Sequence, residues 1–211
     1  MWLLKSLLSS DPLPSIVGGG VYLRVPQMQD FGPWRDLREA SRDFLTPWEP
    51  LWPADDLTRP AFKRRLRRYA RDMITDDAYP LLVFRTGDHQ LLGGVTLSNV
   101  RRGISQAASL GYWMGAPFAG KGYMRAAVAA LLPVAYDALG LHRVEAACMT
   151  TNHPSIHLLE SLGFVREGVA REYLCINGAW EDHFLYGRLS GDSAGKPAVR
   201  APGMSRTTAS V

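Results

Sequence analysis

The sequence predicts one α/β domain on a mixed sheet, with a short leader before it and a polar tail behind it. Apolar runs of period two alternate with helical patterns in the order strand, two helices, three strands, helix, strand, helix, hairpin. A length of 211 residues suits a single domain, and a hydrophobic content of 46% supplies a real core.

Residues 1–20 read as a partly ordered leader, set off from a first strand, Val21 to Val25, by Pro12, Pro14 and Gly18-Gly19-Gly20. Its apolar start, Met1 to Leu8, is too short and interrupted for a secretory signal. Asp30 to Phe44 has helical periodicity, with an interruption expected at Gly32-Pro33. A loop rich in tryptophan and proline follows, Phe44 to Pro53, and then a basic helix from Arg59 to Met73. In that helix Leu66, Tyr69 and Met73 form the expected buried stripe. Strands over Pro80 to Arg85, Leu91 to Asn99 and Ala107 to Met114 are parted by Thr86-Gly87-Asp88 and Arg101-Arg102-Gly103.

Tyr123 to Leu139 reads as an Ala/Leu-rich helix closed by Gly140. Pro133 inside it has no N–H, so the Ala129 carbonyl should lose its partner and the axis should bend. A strand (Arg143 to Met149) and a helix (Pro154 to Leu162, stopped by Gly163) come next. The domain closes at residue 189 with a hairpin, Val169 to Ile176 and Trp180 to Leu189, turned by Asn177-Gly178. Residues 190–211 are rich in Gly, Ser, Ala, Pro and Thr, a composition that predicts disorder.

A net charge of +4 favours anionic ligands such as a nucleotide or RNA. Cys148 and Cys175 make no disulfide framework, so a reducing, cytoplasmic setting and two buried core thiols are expected. No run reaches the ~18 apolar residues of a membrane span, so no membrane contact is expected. No metal is expected either: His153 and His157 have i,i+4 spacing, but Pro154 stands where a zinc-binding helix needs Glu, and His153 should precede the helix. Lys63 to Arg71 carries six positive charges in nine residues, which suits a solvated face and equally contact with ribosomal RNA.

The chemistry concentrates where the strand ending at Met114 runs into Gly115-Ala-Pro-Phe-Ala-Gly-Lys-Gly122 and a helix. Backbone amides turned outward by glycine, beside a helix N-terminus, make an anion cradle. Walker A spacing holds until Gly122, where the required Ser/Thr is missing, and Arg125 stands where a dinucleotide fingerprint needs its third glycine. Downstream, Asn152-His-Pro-Ser-Ile-His-Leu-Leu-Glu-Ser-Leu-Gly-Phe164 opens a helix and ends in a glycine cap.

Ala119-Gly-Lys-Gly-Tyr-Met124 followed about 30 residues later by this Asn-x-x-Ser…Leu-Gly-Phe helix resembles the GNAT superfamily of N-acetyltransferases over residues 21–189. Three further segments resemble the RimJ-type enzymes, which acetylate the N-terminal alanine of a small-subunit ribosomal protein: Phe44-Leu-Thr-Pro-Trp-Glu-Pro50, Leu97-Ser-Asn-Val-Arg-Arg-Gly103 and Glu172 through His183. The resemblance implies a mixed, mostly antiparallel sheet with a splayed strand pair, flanked by about four helices. It implies acetyl-CoA as co-substrate, held by Trp113, Met114, Ala119, Gly120, Lys121, Gly122, Tyr123 and Met124, with Asn152 on the pantetheine arm.

The acceptor it implies is a protein N-terminus, of a ribosomal protein beginning with Ala or Ser. A small amine such as an antibiotic or polyamine, and a non-catalytic CoA-sensing RNA-binding module, are the alternatives. An α-amine has a pKa near 7.7–8.0 against about 10.4 for lysine, so deprotonating it costs about 3.4 kcal/mol less.

The family's usual strand glutamate and helix tyrosine are replaced here by Ser109 and Leu159. Ser155, in the first turn after Asn152, is the remaining candidate acid for the leaving thiolate, as a serine is in related RimL-type enzymes. Glu172, Glu49 or a water chain is open as the base, and Trp48 and Glu49 would form a lid over the incoming ammonium.

Overall fold

A computed structural model describes residues 15–192; the expectations for the start of the leader and for the tail beyond Asp192 lie outside it. Eight strands form one sheet in the order β1-β2-β3-β4-β5-β6-β8-β7. They are β1 (Ile16–Gly18), β2 (Val21–Arg24), β3 (Tyr79–Arg85), β4 (Leu91–Arg101), β5 (Ala107–Met114), β6 (Arg143–Met149), β7 (Val165–Ile176) and β8 (Ala179–Leu189). Every neighbouring pair is antiparallel except β5 and β6, which run parallel.

Five α-helices cover the sheet: α1 (Phe31–Ala40), α2 (Arg42–Leu45), α3 (Arg59–Ile74), α4 (Tyr123–Pro133) and α5 (His153–Ser161). Strand alternation sorts the side chains into two apolar layers. Leu81, Val83, Leu97 and Leu110 pack with α4 and α5, whereas Leu82, Phe84 and Leu91 pack with Phe31, Trp34 and Phe62 of α1 and α3.

Several elements depart from expectation. The glycines at the end of the leader do not separate it from the sheet: Gly19 and Gly20, both at positive φ, turn a hairpin between β1 and β2. The first helix breaks at Ser41 rather than at Gly32-Pro33, because proline in a first turn removes an N–H that has no intrahelical partner anyway. The buried stripe of α3 is anchored by Phe62 and Met73, each 1% exposed, with Leu66 and Tyr69 half-buried between them. Burying a Phe or Met this fully contributes about 1.5–3 kcal/mol.

Regular α-helix stops at Pro133 instead of running on to Leu139: Val134–Ala138 is a π turn in which Leu139 N–H donates to the Val134 carbonyl at 2.9 Å. The helix α5 closes on a Schellman cap, with Phe164 N–H donating to Leu159 O and Gly163, at φ 80°, donating to Glu160 O. It includes His153, which the sequence placed outside it. Asn177 and Gly178, at φ 46° and 85°, form the two-residue turn between β7 and β8.

The edge strand β7 is exposed along most of its length and bulged twice against β8, between Arg166 and Gly168 and between Ala170 and Leu174. Cys175 lies there and is exposed on an edge strand, unlike buried Cys148 on β6 inside the sheet.

Candidate functional site

β5 and β6 share three rungs, Ala107 with Arg143, Ala108 with Val144 and Ser109 with Glu145. Beyond Ser109 they part: β5 continues to Met114 paired with β4 alone, and β6 continues to Met149 paired with β8. Parallel strands end on the same side, so the helices that follow them, α4 and α5, both begin at the open end of this gap. Their N-termini bring unpaired backbone N–H groups and partial positive charge to it.

The loop from Gly115 to Gly122 is shaped for an anion. Gly120 (φ 70°) and Gly122 (φ 79°) are exposed in a left-handed conformation that disfavours other residues, and open space surrounds both. Gly122 caps α4 with no side-chain acceptor, which leaves the first-turn N–H groups free for a ligand. The loop is also pinned from behind. A Cβ at Gly115 would lie 2.4 Å from Leu37 Cδ1, and Ala116 N–H donates at 2.9 Å to Ser41 Oγ at the break between α1 and α2.

Ala119 through Met124 therefore come together at one helix start. Met124 is buried and presents its backbone alone; Tyr123 is half-buried and its hydroxyl accepts from Arg85 at 3.4 Å. Met114 packs in the layer of α4 and α5, whereas Trp113 turns its side chain to the opposite layer.

Across the gap, Tyr112 Oη on β5 lies 2.5 Å from Ser155 Oγ in the first turn of α5. Asn152 caps that turn, its Oδ1 accepting from Ser155 N–H at 3.1 Å. Burial raises the Tyr112 pKa, against an opposing effect of the bond to Ser155, so the phenol stays protonated near neutrality. Cys148, on β6 beneath Ser155, is pushed up to about 11 by burial and is a thiol rather than a thiolate. Leu159 is 1% exposed, and Ser109 sits at the last shared rung.

Tyr112 is not among the residues that the sequence singled out, which were Ser155 for the acid and Glu172 or Glu49 for the base. Its signal was the alternation that puts Leu110, Tyr112 and Met114 on one face of β5.

On the other face Glu49 is already engaged. Both its oxygens accept from Arg38 at 2.7 Å, and Trp52 Nε1–H donates to it at 2.7 Å. The Arg38 guanidinium lies between the indoles of Trp52 (4.1 Å) and Trp113 (5.0 Å). Glu49 thus fastens the Thr46–Trp48 turn, with half-buried Trp48, to α1, and its carbonyl accepts from Asn177 at the hairpin turn. Glu172 is exposed at φ 47° in the second bulge of β7, and its backbone N–H donates to Asp182 Oδ1. Its carboxylate makes no ion pair among the described residues. Among those residues there is also no metal-binding cluster, and no helix is long and apolar enough to cross a membrane.

Residues 21–165 match the family described as acetyltransferase (GNAT) domain. The chain is 34% identical over 175 residues to a probable N-acetyltransferase, YjcK, of Bacillus subtilis, covering 83% of this chain and 97% of that one. It is also 34% identical over 165 residues to the ribosomal protein uS5-alanine N-acetyltransferase of Escherichia coli, covering 77% and 85%. Among solved structures, the ribosomal-protein-S5-alanine acetyltransferase of Vibrio fischeri superimposes with a TM-score of 0.79 at 33% identity, covering 85% and 98%. Mycobacterium smegmatis RimJ in complex with CoA-disulfide does so with a TM-score of 0.78 at 29% identity, covering 84% and 86%.

Proposed function

The chain belongs to the acetyltransferase (GNAT) family, and we propose that it transfers acetyl from acetyl-CoA to the α-amine of a ribosomal protein beginning with Ala or Ser. As an N-acetyltransferase of this family it uses acetyl-CoA as its donor. The observation that carries the site assignment is the Tyr112–Ser155 bond beside the strand gap, at the end where two helix N-termini converge.

The loop Ala119 to Met124 holds the diphosphate through backbone amides around Gly120 and Gly122, with Lys121 adding charge at the exposed rim. Asn152 and the parted edge of β5, Trp113 and Met114 included, receive the pantetheine arm. The neutral amine then attacks the thioester carbonyl, the C–S bond breaks, and the thiolate takes a proton from Ser155. Tyr112, protonated and hydrogen-bonded to Ser155 Oγ, holds the serine hydroxyl toward sulfur, and solvent, which receives the amine proton, returns one to the serine oxygen.

The proton leaving the amine goes to water or to Glu172, whose carboxylate makes no ion pair among the described residues; an α-amine needs no strong base. Glu49, held by Arg38, shapes the acceptor side with Trp48 rather than taking that proton. A protonated Cys148 supports direct attack in a ternary complex over an acyl-cysteine route.

The test is steady-state CoA release with peptides beginning Ala or Ser, set against spermidine and an aminoglycoside. Intersecting double-reciprocal lines with the peptides and no turnover with the small amines are expected. Turnover confined to the small amines, or CoA binding without acceptor-dependent turnover, would overturn the proposal.

A further inference from the structure

Between α1, α3 and the sheet lies a cavity of about 210 Å³ whose lining includes Arg38, Arg65, Arg68, Tyr69, Thr96 and Trp113. No carboxylate lines it. Arg65 is paired to Asp56 outside the lining, whereas Arg68 makes no ion pair among the described residues. Arg38 is spoken for at its two terminal nitrogens by Glu49, which leaves Arg68 as the cation of the lining that no carboxylate neutralises among the described residues.

The cavity also lies beside the reaction centre. Thr96 on β4 pairs with Gly111 on β5, the residue before Tyr112 and two beyond the last rung to β6. The lining thus begins about 4.8 Å, one strand spacing, from the edge of the gap, and one peptide residue spans about 3.5 Å. An acceptor with its amine at the gap would bring its second residue to the Thr96 side of this cavity.

We propose that this cavity is a specificity subsite for acceptor N-termini whose second residue is acidic. Its carboxylate bonds to Arg68. The inference rests on N-terminal acetylation being the activity. It disfavours cationic acceptors, since the cavity offers guanidinium groups and hydroxyls to a ligand.

The experiment compares kcat/KM for the whole enzyme, at saturating acetyl-CoA, on peptides differing at one position: Ala-Asp, Ala-Asn and Ala-Lys. Ala-Asp should exceed Ala-Asn by about tenfold, the effect of one charge-assisted hydrogen bond, and Ala-Lys should be poorest. Arg68 is exposed, so its variants test the subsite without emptying the core. Arg68→Gln should collapse the Asp/Asn ratio, and Arg68→Glu should turn the preference toward Ala-Lys. Equal turnover of the three peptides, or a preference that survives Arg68→Gln, overturns the subsite alone. No turnover of any of them overturns N-terminal acetylation itself.

Discussion

Replacing Tyr112 with Phe removes one oxygen from the site and leaves the ring in place, which makes it a sharp probe of how Ser155 is used. The phenol sits 2.5 Å from Ser155 Oγ and is protonated because burial raises its pKa. One such bond contributes about 1 kcal/mol net to stability, so the variant should melt about 2–4 °C lower, as expected for a domain of this size. If the bond also orients the serine proton, kcat should fall about tenfold, with the KM for acetyl-CoA little changed. Ser155→Ala removes the acid itself and should cost about a hundredfold or more.

The decisive measurement is the double variant, in single-turnover CoA release from a peptide beginning with Ala. Tyr112→Phe acting through Ser155 should add almost nothing once the serine is gone. Equal loss in both backgrounds would refute the coupling, and full single-turnover rate in Ser155→Ala would remove the serine from the chemistry.

Gly122→Ala puts a side chain at φ 79°, strained by about 1 kcal/mol, and should weaken CoA binding by about tenfold in calorimetry; wild-type affinity would discount the loop. Glu49→Ala strands Arg38, whose side chain is 9% exposed, and should lower stability by about 3 kcal/mol in urea titration. The Arg102 guanidinium bonded to Asp76 holds that carboxyl below its ordinary value of 3.8, with Tyr79 donating to it as well. Because the folded pKa is depressed, this stabilisation is complete above about pH 4 and is lost as pH falls through the folded value. Asp76→Asn should therefore flatten the acid limb of melting temperature against pH, relative to wild type.

What the sequence made legible was local. Asn177-Gly178 demanded positive φ twice, Gly163-Phe164 demanded a cap, and Gly120 and Gly122 shaped their loop without distant help. What it hid was long-range. Tyr112 and Ser155 are 43 positions apart and meet because two strands diverge between them. Arg38 reads as a surface charge on α1 until Glu49 and two indoles close over it. Phe62 was lost beside a run of six cations, though it lies one turn before Leu66 on the same face. Cys175 looks like core in an apolar stretch, and only the order of the sheet shows that its strand lies at an edge.

The two kinks in β7 bear on how the protein lives in a crowded solution. A straight outer strand carrying Val169, Tyr173 and Leu174, next to Trp180, would invite a neighbouring chain to zip onto its bare amides. Dislocated twice within a few residues, with Glu172 held at positive φ, that rim offers a visiting strand no unbroken ladder to follow. The hairpin can therefore carry Val169, Tyr173 and Leu174 in the open while presenting a poorer template for edge-to-edge pairing.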